Sequence, residues 1–132
     1  MKILIDSKAY VTSFMTQGDG DIYDERGNRG IEVQDLPEEE MDQFSEFANA
    51  YKYSSATKTV TFDYTKYESI VLDRLKQQLR IRREKECFSI INRGELWYDT
   101  LTSEQKEELS VWYQAWLDVT ETLTPPDPLP WL

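Results

Sequence analysis

Side chains able to do bond-making chemistry are scarce in this sequence. It contains no histidine and a single cysteine, Cys87. A Ser-His-Asp or Cys-His nucleophile cannot be assembled from that set, and a structural zinc site lacks its ligands. The closest approach to a metal loop is Asp19, Asp21, Asp24 and Glu25 in a glycine-rich stretch. As a calcium loop of the EF-hand kind it fails, because Tyr23 stands where an oxygen donor is wanted and Asp24 where the turn needs glycine. A solvated loop is the better account. Gly18-Asp19-Gly20-Asp21 also lacks the lysine and spacing of a phosphate-cradling loop. Glu38-Glu39-Glu40 and Glu107-Glu108 fit solvated helix faces and the positive end of a helix dipole. No carboxylate pair is singled out for acid–base work, no cofactor is implied, and the chain reads as a non-enzyme. Cys87 cannot form an internal disulfide and reads as a small buried hydrophobe in a reducing compartment.

What remains is the chemistry of recognition. All four tryptophans, Trp97, Trp112, Trp116 and Trp131, fall in the last 36 residues. Trp and Tyr are frequent binding anchors, and equally frequent core residues of small helical units. For Trp112 and Trp116 the core reading comes first. Trp131 stands on a proline-stiffened end that either folds back on its own helices or is offered to a partner. Charge is banded as well. Residues 1–49 carry 4 basic and 12 acidic groups, residues 74–93 carry 7 and 2, and residues 95–132 carry 1 and 8, within a net charge of −10. The net charge disfavours general binding to nucleic acid. The basic band, centred on Arg80, Arg82, Arg83 and Lys85, either pairs with the chain's own acids or presents a docking surface to an acidic partner.

The elements that must position these groups follow from pattern. Ile3 and Ile5, then Tyr10, Thr12 and Phe14, alternate as two strands around the turn Asp6-Ser7-Lys8, and residues 17–30 form a glycine-rich loop or open hairpin tip. A short strand at 31–34 precedes a helix whose start is signalled by Asp35, Pro37 and Glu38 as a capping box, with Met41, Phe44, Phe47 and Ala48 on its apolar face. Residues 51–53 and 59–64 read as a hairpin. Residues 65–91 hold no proline or glycine and read as one long helix striped by Leu72, Leu75 and Leu79, closed by Gly94 in a left-handed cap. The stripe is thin and needs a cover, either the next helix or a second copy, which leaves room for a homodimer seam along 65–91. Thr102 to Gln105 is a capping box for a final helix with Leu109, Trp112, Tyr113, Trp116, Leu117 and Thr120 on one face. The tail from Pro125 to Leu132 cannot be helical and should run extended. The expected fold is α+β: a small N-terminal antiparallel sheet with one helix over 1–64, then a helical hairpin and extended Pro-rich tail over 65–132. The first residues lack the apolar run of a signal peptide, and no stretch nears the ~18 apolar residues of a membrane span. No membrane association and a cytoplasmic setting are expected.

These residues also carry a resemblance. Arg82-Arg83-Glu84, Leu96-Trp97-Tyr98, the helix segment from Trp112 to Val119, and the ending Pro130-Trp131-Leu132 together resemble the phage tail assembly chaperone-like proteins, the XkdW-type prophage tail proteins. The stretches Lys2 to Asp6, Ile31 to Glu38 and Tyr51 to Tyr53 are similar to short modules encoded beside tail-fibre genes in phages of Gram-positive bacteria. Relatives of the first kind often show Tyr-Arg-x-x-Leu-Arg-Asp in the last helix. Tyr113-Gln114-Ala115-Trp116-Leu117-Asp118 has no arginine, so any partner contact made by that arginine must differ here. The resemblance implies a role in tail or tail-fibre assembly, in the host cytoplasm and with retention in the virion tail left open. The partner would be a tail-fibre or baseplate protein. Its contact residues would be Arg80, Arg82, Arg83, Trp97, Trp112, Tyr113, Trp116, Trp131 and Leu132. A permanent tail or baseplate component is the alternative. An acidic host-directed regulator is a weaker one, because the basic band interrupts any phosphate-like array of carboxylates.

Overall fold

Simple alternation along the second strand would point Tyr10, Thr12 and Phe14 inward. The computed structural model, which describes residues 1–18 and 20–132, buries Val11 instead and exposes Thr12. The cause is a bulge. Strand β1 (Lys2–Ile5) pairs antiparallel with β2 (Val11–Met15) as Ile3 with Phe14 and Leu4 with Ser13, but then as Ile5 with Val11. Thr12 is the extra residue, so the strand's inward face shifts by one beyond it. The turn before β2 is built by Asp6, whose carboxylate accepts from the N–H groups of Lys8 (2.9 Å) and Tyr10 (3.0 Å). Strand β3 (Ile31–Glu32) adds on the other edge of β1, giving the antiparallel order β2-β1-β3.

Asp35 does not cap a helix. Its carboxylate lies 2.9 Å from the Met1 ammonium, and the chain enters a 3₁₀ turn (Glu38–Glu40) without a side-chain cap before helix α1 (Met41–Glu46). The only fully inward side chain of α1 is Phe44. Hairpin β4 (Tyr51–Ser54) and β5 (Thr59–Phe62) follows as the sequence suggests. Phe44 stacks between Phe14 (4.6 Å) and Tyr51 (5.0 Å, edge-on), and with Ile3, Val11, Val33 and Val60 these rings form the core of the first unit.

Asp63 opens helix α2 (Tyr64–Arg83). One carboxylate oxygen accepts from the Lys66 N–H at 3.2 Å and the other from the Tyr10 hydroxyl at 2.6 Å. The hydroxyl bond first, and the backbone amide second, hold this carboxyl below its usual pKa. The chain divides into two compact units at Val71/Leu72, inside α2, rather than at the start of the helix. Tyr67 explains the shift, since it packs on Phe47 (4.9 Å) and Phe62 (5.4 Å) of the first unit.

The second unit spans Leu72–Leu132. After α2 come one π-helical turn (Glu84–Phe88) and the short helix α3 (Ser89–Ile91). In an ideal helix Cys87 would stand about 80° round from Leu79. The extra residue of the π turn brings it back, and both are buried in one core. Gly94 is not a left-handed cap. Its φ of +97° comes with an extended ψ of 175°, and it leads into helix α4 (Glu95–Tyr98). The capping box at Thr102 is formed, with Gln105 N–H to Thr102 Oγ1 at 3.1 Å and Thr102 N–H to Gln105 Oε1 at 2.9 Å. Helix α5 (Ser103–Leu117) ends at Asp118 and α6 (Val119–Thr122) follows; Val119, seven residues beyond Trp112, is buried on the same helical face, while Leu117 stays exposed. The observed class is α+β, with a small antiparallel sheet first and helices after it. Among the described residues no helix is long and apolar enough to cross a membrane.

Two outcomes test this packing. Phe44→Ala should destabilise the chain by about 3–5 kcal/mol, read as a lower denaturation midpoint at unchanged slope. Asp63 is ionised and bonded in the folded state, so its contribution is present above the ordinary carboxyl pKa and is lost as pH falls through its lowered folded value. Asp63→Asn should therefore lower the melting temperature at pH 7 and make its loss on acidification shallower than in the wild type.

Candidate partner-binding site

In the acidic loop, Asp21 and Asp24 are engaged by neighbouring groups. Asp24 Oδ1 accepts from the N–H groups of Arg26 (2.9 Å) and Asn28 (2.8 Å), its Oδ2 accepts from the Asn28 amide (2.9 Å), and Asp21 pairs with Lys2 (3.1 Å) and Arg29 (2.9 Å). The loop thus folds on itself through Asp21 and Asp24. Asp19 lies outside the described residues. No group of three or more Cys, Asp or Glu side chains among the described residues is placed to hold a metal ion.

The recognition residues gather in the second unit, though in different roles. Trp112 and Trp116, on the inner face of α5, are 5% and 1% exposed and belong to the core with Leu79, Cys87, Leu109 and Val119. Their indole N–H groups are buried without an acceptor. The tail folds back over them. Leu129 and Trp131 pack against this core, and the Trp131 indole donates to Glu108 Oε2 at 2.7 Å. The tail thus takes the first of the two courses its sequence leaves open. Leu132 is 37% exposed at its end.

Two cavities flank the tail. One, of about 500 Å³, is bounded by Glu104, Glu108, Val111 and Trp112 on α5 and by Pro126 and Leu129. The other, of about 390 Å³, lies between Lys85, Ser89 and Arg93 on one side and Trp112, Trp116 and the tail on the other. Trp97 and Tyr113 border a third, of about 420 Å³, with Tyr98 and Leu109.

The basic band is partly consumed inside the unit. Arg82 pairs with Glu86 through Nε at 2.6 Å, and its guanidinium lies 5.6 Å from the Trp116 ring. Arg83 is half-buried, sits 5.5 Å from the Phe88 ring and donates to the Leu117 carbonyl at 3.4 Å, while its Nε has no acceptor. Arg80 is exposed. Sequence reasoning missed Glu108, Arg93 and Lys106. Arg93 lies 5.1 Å from the Trp97 ring and Lys106 4.8 Å from that of Tyr98. The spacing Glu108, Trp112, Trp116 repeats every four residues, so the anchor of the tail was available from helical period.

Neither a protein-family model, nor a curated protein, nor a solved structure matches this chain. The assignment of a site therefore stands on residues and geometry.

Cys87 tests the burial of this core. Burial pushes its thiol up to about 11, against a smaller opposing pull from Arg83. At pH 8 the native thiol should react with a disulfide reagent about a hundredfold more slowly than in denaturant, as the lower thiolate fraction dictates. Comparable rates in both states would mean that the π turn does not hold Cys87 inside.

Proposed function

We propose that this chain is a non-catalytic binding protein of phage tail assembly, a chaperone-like partner of a tail-fibre or baseplate component that acts in the host cytoplasm. One observation carries the reading. The run that resembles the tail assembly chaperone-like proteins, from Arg82 to the terminal Trp131-Leu132, falls within one compact unit, where its aromatic and basic residues occur together. The absence of histidine from the sequence agrees with a binding role. In this reading the helical unit and its tail cover apolar surface on a fibre component until assembly. Arg80 and Arg82 supply the charge that speeds encounter with an acidic surface.

Co-expression with the tail-fibre protein of the same prophage should give a stable complex by light scattering. Arg80→Glu with Arg82→Glu should slow association about tenfold at low ionic strength and leave it nearly unchanged at high salt, because screening removes steering. An unchanged association rate at low salt would sink the steering role. No complex, with the protein recovered by mass spectrometry from purified particles, would favour a permanent virion component.

A further inference from the structure

We infer that the face of the helical unit formed by Glu108, Trp112 and Trp116 on one side and Lys85, Ser89 and Arg93 on the other is a docking groove for an extended, proline-rich segment of a partner protein, with residues 125–132 seated in it as a displaceable internal occupant. This deepens the partner-binding reading above by naming the chemistry that the surface accepts.

Four observations lead there. The resident occupant is itself proline-rich, and it lies against tryptophans, the arrangement by which aromatic grooves take up polyproline segments. Its fit is incomplete, since cavities of about 500 and 390 Å³ remain along its two flanks. Its attachment is slight. Among the described residues, the tail from Pro125 onward makes one side-chain hydrogen bond to the helices, Trp131 to Glu108, and its one backbone hydrogen bond, Leu132 N–H to Leu129 C=O at 3.2 Å, is internal to the tail. Finally, Trp112 and Trp116, which line the floor beside the tail, carry indole N–H groups that are buried without an acceptor.

A polyproline segment is the ligand that matches such a floor. It has carbonyl acceptors along its whole length and few donors to satisfy in return, and its conformation is preformed, so little freedom is lost on docking. A partner segment that brings carbonyls within reach of either indole gains a bond the tail does not make, and buried donors are costly to leave unpaired. Lys85 and Arg93 on one rim are offset by Glu86 beside them and by Glu104, Glu107 and Glu108 on the other flank, so the groove selects for the proline-rich backbone and not for charge. Leu123, with a left-handed φ of +59°, ends α6 and marks where the tail departs from the helices. The tail can leave from that point without unwinding the capped helix α5.

The test is a titration of the full chain with a fluorescein-labelled synthetic peptide of residues 123–132, read by anisotropy. The wild type should bind it weakly, because its own tail competes. Trp131→Ala loosens the internal tail and leaves the groove intact, so affinity should rise about tenfold. Adding Glu108→Ala should abolish that gain, because the peptide's own tryptophan then loses its acceptor. Pro128→Ala with Pro130→Ala, at exposed positions, should raise affinity in the same direction without touching the core, which covers the case that Trp131→Ala fails to fold. A peptide with its prolines replaced by alanine should bind at least tenfold more weakly. Equal affinity for wild type and loosened variants of unchanged circular dichroism overturns the proposal, as does equal binding of the alanine peptide. A concentration-dependent dimer of the wild type that Trp131→Ala dissolves assigns the groove to a second copy's tail and overturns the partner assignment. The titration contains no tail component, so its failure and the failure of the assembly reading are seen separately.

Discussion

Burying two adjacent indoles in a unit of some sixty residues sets the terms for the rest of the helical half. Trp112 and Trp116 lie one turn apart on α5, and each removes on the order of 150–250 Å² from water when covered. The core is completed by several pieces at once: Leu79 and Cys87 from one side, Val119 from beyond the break at Asp118, and Leu129 and Trp131 from the tail. Each piece depends on a local device. The π turn returns Cys87 to the face of Leu79, the Thr102 capping box fixes where α5 begins, and helical period keeps Val119 on the face of Trp112, seven residues before it. The same burial strands two N–H donors, so the arrangement that stabilises the unit also leaves it short of acceptors.

Charge is used at the edges of this core. Arg82, Arg83, Arg93 and Lys106 each lie within 6 Å of a ring, of Trp116, Phe88, Trp97 and Tyr98 respectively. Contacts of this kind contribute about 0.5–1 kcal/mol each at exposed sites. Three cations of the basic band, Arg82, Arg83 and Arg93, are therefore engaged over aromatic faces, and Arg82 is further neutralised by Glu86. The band's net charge still shapes the long-range field, since pairing within a few ångströms leaves the excess of cations over acids intact.

Legibility in the sequence followed the range of the forces. Features set by residues within four positions of one another were readable: the hairpin read at 51–53 and 59–64, whose second strand stops at Phe62, the Thr102 capping box, the helical path read at 65–91, which begins at Tyr64, and the α+β class. Features set by distant partners were not. Asp35 has the local chemistry of a cap but is drawn to the Met1 ammonium, and Val11 is inward only because β2 bulges against β1. The π turn has no composition signal, and the unit boundary moved into α2 because Tyr67 found Phe47 and Phe62. In the site, the tryptophans were visible as a set, but only the fold divides them into floor (Trp112, Trp116) and anchor (Trp131). Glu108 stands at helical spacing from Trp112, but an acid next to Glu107 on a charged helix has the local pattern of a solvated residue, and only the distant Trp131 distinguishes it.

The tail's composition bears on how such an occupant behaves. A flexible tail would lose much conformational freedom on docking and would need many contacts to stay down. Four prolines between positions 125 and 130 remove most of that cost beforehand, so one indole–carboxylate bond and two half-buried side chains hold the segment in place. The same stiffness keeps the tail's hold small in absolute terms. An incoming segment has only to exceed a modest set of contacts. Exchange then depends on the difference between two similar occupants and not on the strength of either. Such a surface changes state easily, because the capped helix α5 need not unwind when one occupant replaces the other.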